Sequence, residues 1–111
     1  ELTFWWQCRK PLEGDWKVFV HVRGAGARTL SNLDHHPAFG AYPFRLWAAG
    51  DVVKDVVVMR VPAAPVGSTL SVWTGLFSER DVMRRADVVL APGTRRMQDQ
   101  AVEAASVKLA R

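Results

Sequence analysis

One cysteine, Cys8, stands among the 111 residues, so no disulfide forms within the chain and no thiolate cluster can hold a metal. A lone thiol of this kind reads as a small core filler. The missing disulfides fit a reducing compartment without excluding an oxidising one, since a domain of this length holds together by burial. No apolar run approaches the roughly 20 residues that cross a bilayer, and no charged leader precedes a signal-like stretch. The nucleophile elbow, the phosphate loop and the dinucleotide fingerprint are missing as well. Gly24-Ala25-Gly26 has neither the third glycine nor the following helix that would give it meaning. These gaps disfavour an enzyme and imply no cofactor.

Aromatic residues stop at Phe77, whereas the denser arginines, Arg80, Arg84, Arg85, Arg95 and Arg96, all lie beyond it. Nucleic-acid binding needs the two kinds interleaved, so that partner is disfavoured. Fifteen Lys and Arg against eleven Asp and Glu give a formal charge of +4, which reads as a solvated basic edge with at most a weak pull toward anionic headgroups. Apolar residues at 49% and charged residues at 23% describe a globular chain rather than a disordered tail. The length predicts one domain over residues 1–111. Glu1 opens directly into a strand pattern, which predicts a piece of a larger protein.

Alternation with a period of two dominates the chain. Leu2, Phe4, Trp6 and Cys8 share one face of a first strand, and Trp16, Val18, Val20 and Val22 share one face of a second that ends at Arg23. Pro11, Gly14 and Asp15 between them predict a hairpin. Residues 27–33 form a short, weak strand before the turn Asp34-His35-His36-Pro37, and the aromatic stretch 37–50 reads as a loop folded over one end of the core. Val52–Val61 is the strongest strand and is expected to be central, with Val53, Val57, Met59 and Val61 sharing a face with Asp55. Thr69–Phe77 alternates again and predicts a second hairpin with it. Asp87–Ala91 predicts a further short strand before a turn at Pro92-Gly93. Ala101–Leu109 scores as helix or strand; an all-β pattern needing a closing partner for its edge favours the strand. Six to eight short strands with regular turn signals predict an all-β, antiparallel two-sheet β-sandwich, immunoglobulin-like or jelly-roll-like.

The ordered set Trp16-Lys17-Val18-Phe19-Val20-His21-Val22, Asp34-His35-His36-Pro37, Tyr42-Pro43, the run Trp47–Asp55 and Trp73-Thr74-Gly75-Leu76-Phe77 resembles a bacterial β-sandwich module. Such modules are extracytoplasmic domains that follow the multi-spanning part of some membrane proteins, including ones similar to dolichyl-phosphate-mannose-type glycosyltransferases. The likeness covers roughly residues 2–78. It implies a sandwich fold, an address outside the cytoplasm with membrane tethering through the parent protein, and an accessory role, and it carries over no catalytic residues.

His21, Asp34, His35 and His36 are the one cluster with metal-ligand chemistry. Neighbouring histidines on extended backbone point to opposite faces, which argues against a shared ion and for Asp34 capping the turn before Pro37. Among the aromatics, Trp5, Tyr42, Phe44, Trp47 and Trp73 can be read as stacking surfaces for sugars or partner proteins, or as core. Tyr42, Phe44 and Trp47 lie on a loop and are the better candidates, with His21 and His35 completing the predicted ligand-contact set. Glu13, Asp15, Asp51 and Asp55 have no fixed spacing for acid–base work. Asp55, between Val53 and Val57, must find a hydrogen-bonding partner, for which His21 or Arg45 is expected. The sequence thus predicts a non-catalytic domain that binds glycan or a neighbouring protein segment on the outer side of a bacterial membrane. The alternatives are a purely structural interaction module and, less favoured, a metal-dependent enzyme.

Overall fold

The computed structural model of the protein describes residues 2–24, 26, 28–89 and 96–109. Within them the alternating runs form seven strands: β1 (Leu2–Gln7), β2 (Trp16–Arg23), β3 (Thr29–Asn32), β4 (Val52–Val57), β5 (Thr69–Ser78), β6 (Met97–Gln98) and β7 (Ala101–Lys108). Short 3-10 turns at Pro37–Gly40 and Phe44–Leu46 are the only helical backbone among the described residues apart from a single position at Gly26. All pairings are antiparallel. β1 and β4 make a two-stranded sheet, and a five-stranded sheet runs in the order β3-β2-β5-β7-β6. The protein is an all-β sandwich of these two sheets.

The dry faces read from the sequence meet between the sheets. Phe4, Val53 and Val57 from the thinner sheet pack with Trp16, Val18, Val20, Val22, Leu70, Val72 and Leu76 from the broader one in a single core. Register sets Val18 against Leu76 and Val22 against Val72 on that inner face. Val20 faces Thr74, whose buried hydroxyl donates to the Phe19 carbonyl at 2.9 Å, so this hydroxyl in the layer is satisfied. Cys8 is buried in the same core, as a small filler.

Strand partners differ from those the turn signals suggested. β1 pairs with β4 rather than with β2, and β5 pairs with β2 and β7 rather than with β4. The reason is that β1 and β2 each have one dry face. Laid side by side they would still need a covering layer, whereas in opposite sheets they cover each other. Residues 8–15 therefore cross between layers instead of closing a hairpin. β4 is not a central strand: it stops at Val57, and the segment after it exposes Val58, Val61 and Val66. Residues 87–89 are irregular, and the rest of the strand expected at 87–91, with the Pro92-Gly93 turn, falls outside the described residues. The ambiguous segment 101–109 is a strand, because β5 offers it an edge. A bulge between Val72 and Trp73 shifts the register there, so that Val72 faces Ala105 while Trp73 faces Glu103.

The broad sheet also carries apolar side chains on its outer face. Phe19, Trp73 and Ala101 are buried there, with Phe77 packed against them. Phe19 lies opposite Gly75, and a Cβ added at Gly75 would come within 2.5 Å of the Phe19 ring and 2.7 Å of the Gln100 carbonyl. The glycine is what lets the ring lie flat across β5.

Candidate functional site

His35 and Asp55 form the tightest polar pair inside the sandwich. Asp55 sits on the core face of β4 and is fully buried. Its Oδ2 lies 2.6 Å from His35 Nε2, and its Oδ1 accepts the Ala38 backbone N–H at 3.1 Å. The second ring nitrogen, Nδ1, is 2.8 Å from the Leu33 carbonyl. A carbonyl only accepts, so Nδ1 carries a proton; a carboxylate facing Nε2 then favours a second one, giving imidazolium against carboxylate. Burial works against that charge, but the hydrogen bonds to Asp55 and Leu33 and the charges of Asp55 and Asp34 outweigh it, and the His35 pKa is raised above its ordinary 6.5. The His35 backbone exchanges hydrogen bonds with Val18 at 2.8 and 2.9 Å. The pair therefore ties the turn after β3 and the broad sheet to β4. Ala38 pays for its part in this with a positive φ of 50°.

Asp55 thus finds its partner in His35 and not in His21 or Arg45. Both nitrogens of His35 are engaged in holding the turn, which makes it a structural clamp rather than a ligand contact. His36 points the other way and pairs with Glu79 at the surface. Among the described residues no three His, Cys, Asp or Glu side chains gather as metal ligands.

The loop aromatics go to the core. Phe44 and Trp47 are buried, their ring centroids 4.4 Å apart, and the Trp47 indole donates to the Tyr42 carbonyl at 2.9 Å. Tyr42, half-buried, stacks on Trp47 and donates its hydroxyl to Asp51 at 2.7 Å. Asp51 also accepts the Ala48 N–H at 2.9 Å; this bond first, and the tyrosine second, hold its carboxyl below the usual carboxylate range, while the tyrosine is pushed up by the same contact. Phe44 and Trp47 have no free face for a sugar to stack on, so these two cannot serve the stacking role expected of them.

The outer face of the broad sheet assembles what the sequence scatters. A cleft of about 250 Å3 is lined by Phe19, His21, Asp34, Phe77, Val82 and Arg85. β2 supplies Phe19 and His21 at alternate positions and β5 supplies Phe77. Arg85 is brought alongside by an isolated bridge to Phe77, and its Nη1 donates to the Asp99 carbonyl at 2.7 Å. Its guanidinium lies 4.5 Å from the centre of the Phe19 ring. Asp34 accepts the Val20 N–H at 3.2 Å and stands 3.7 Å from His21 Nε2. Burial lowers the His21 pKa, Asp34 opposes this, and Arg23 and Arg85 add to the lowering. Beyond the cleft on the same face, Arg23 and Arg96 lie 4.8 and 5.7 Å from the Trp73 ring centre.

Of the predicted ligand contacts, then, His21 alone lines this cleft; Tyr42, Phe44, Trp47 and His35 do not. Sequence reasoning passed over Arg85, Phe19 and Phe77. The signal available for the two rings was the outward half of the alternation in β2 and β5, which carries Phe19, His21, Trp73 and Phe77 where a solvent face would carry polar residues. No family model, curated protein or solved structure matches the chain.

Proposed function

We propose that the chain is a non-catalytic accessory β-sandwich domain that binds glycan on the outer side of a bacterial membrane, tethered there through a larger parent protein. The observation that carries the reading is the cleft on the outer sheet face. It sets a donor (Arg85), an acceptor (Asp34) and an imidazole (His21) around the half-buried ring of Phe77, with Phe19 buried under the Arg85 guanidinium. A sugar ring asks for that combination, with directional polar groups for its hydroxyls and an apolar surface for its C–H face. The test is titration with glycans followed by tryptophan fluorescence, because Trp73 lies on the same face. Binding should be saturable and weakened at least tenfold in His21→Ala, which leaves the inner core untouched. No saturable change with any glycan class overturns the reading.

A second reading, a protein-interaction module, is favoured by a separate feature. Cys8 donates to the Asp51 carbonyl at 2.8 Å and its own carbonyl accepts from Gly50 at 2.7 Å. This fixes the even residues of β1 as those bonded to β4 and leaves the N–H and C=O groups of Thr3, Trp5 and Gln7 on an open edge. Trp5 is 66% exposed there. The β4 edge carries Lys54 at its middle, the usual guard against strand addition, whereas the β1 edge carries no charge. The occupant this edge suits is a second copy, since an antiparallel pairing about Trp5 sets Thr3 against Gln7 without like charges. Thr3→Pro removes one outward donor and leaves the ladder to β4 intact. Sedimentation velocity should show a dimer that this variant abolishes; a monomer at high concentration overturns it.

A further inference from the structure

Resting on the glycan reading, we infer that the saccharide taken by the outer-face cleft is acidic, a carboxylate-bearing sugar of the uronate kind. The outer face carries cations beyond those its ion pairs use: Lys17, Arg23, Arg85 and Arg96 lie on it, and of these Arg96 is paired with Glu103. Neither Lys17, Arg23 nor Arg85 has a carboxylate in ion-pair contact among the described residues.

The arginines are also held in place. Arg85 is fixed at three points: its backbone bridge to Phe77, its bond to the Asp99 carbonyl and its seat on the Phe19 ring. Stacking on a ring leaves the in-plane N–H groups of a guanidinium free, and among the described residues one of the five Arg85 donors is committed. A carboxylate meeting this group forms charge-assisted bonds with little loss of side-chain freedom. A second depression on the surface holds Arg80 and Arg84 too, but Glu13, Asp15 and Asp81 line it and offset them.

Asp34 decides between a free anion and an acidic sugar. It is an acceptor on the wall of a cationic cleft, and a bare phosphate would meet its repulsion, whereas a uronate offers it ring hydroxyls while turning its carboxylate to Arg85. The volume, about 250 Å3, falls below the roughly 300 Å3 at which pockets for drug-sized ligands begin, which suits a single ring. Phe77 then covers one face of that ring.

Isothermal titration calorimetry of the full chain at low salt tests this with four probes: an oligogalacturonate, its fully methyl-esterified counterpart, inorganic phosphate and a single-stranded oligonucleotide. The acid should bind at least tenfold more tightly than the ester and lose that preference in Arg85→Gln. Arg85→Lys, which keeps the charge and loses the guanidinium fork, should narrow the preference and gives the readout if Arg85→Gln does not fold. Equal affinity for acid and ester overturns the acidic preference and leaves the glycan reading standing. Failure of both overturns the two together. Competition by phosphate or the oligonucleotide at the affinity of the uronate makes the face a general anion surface and overturns the inference.

Discussion

Asp55 is a fully buried carboxylate compensated, among the described residues, by one imidazole and one backbone N–H. Removing half of such a pair strands a charge, so Asp55→Ala should cost about 3–5 kcal/mol in urea unfolding. Asp55→Asn should cost far less, because the amide can donate to Nε2 of a neutral His35 while its oxygen keeps the Ala38 bond. The two histidines also shape the pH dependence. The folded state holds the His35 proton more tightly than the unfolded chain, so this contribution is complete below pH 6.5 and fades as pH rises through the raised value. His21 does the reverse: its lowered pKa makes stability grow as pH climbs toward 6.5. Stability should peak near pH 6.5, and Asp55→Asn should flatten the alkaline limb alone. Denaturant midpoints across pH 5–8 check both limbs; an unaltered alkaline limb in Asp55→Asn would show that the clamp does not set it. That Asp55 needed a partner was legible from its place between Val53 and Val57. Which partner was not, because the orientation of His35 comes from a turn whose geometry no periodicity encodes.

At the level of elements, alternation revealed which face of each strand is dry and left open which strand lies beside which. Faces depend on neighbours two residues away. Pairing depends on contacts between segments as distant as β1 and β4, and hydrophobic pattern is equally satisfied by a hairpin or by opposed layers. The same distance hid the arginine and aromatic face. Arg85 and Arg96 lie far along the chain from Phe19, yet the β2–β5–β7 ladder and the bridge at Phe77 bring them onto the rings. Loop aromatics are hard to place for a related reason: residues 37–50 have no regular pattern, so the sequence lays this loop over one end of the core without showing which rings turn inward, and Phe44 and Trp47 do. The close fit of Phe19 over Gly75 gives a sharp check at this scale. Gly75→Ala should destabilise by roughly 1–3 kcal/mol, since the new methyl meets both a ring and a rigid carbonyl. Phe19→Leu in the same background should recover part of the loss, which would separate crowding from any intrinsic backbone effect.

For the molecule as a whole, the sandwich is lopsided: five strands face two. The broad layer distributes its hydrogen bonds over four ladders, and its central strand β5 is shielded on both faces. The narrow layer has one ladder of six residue pairs and leans on the core and on the His35–Asp55 clamp for everything else. Backbone amides should accordingly exchange with deuterium in two cooperative groups. Those of β1 and β4 should open at lower free energy than those of β2 and β5, and the gap should widen in Asp55→Ala. A single exchange class across both layers would contradict this. The lopsidedness also separates two behaviours in space: the rigid slab keeps the outer-face cleft in shape while the slim ribbon can loosen, so that one side of the molecule is preordered and the opposite side is left to yield first under heat, force or protease.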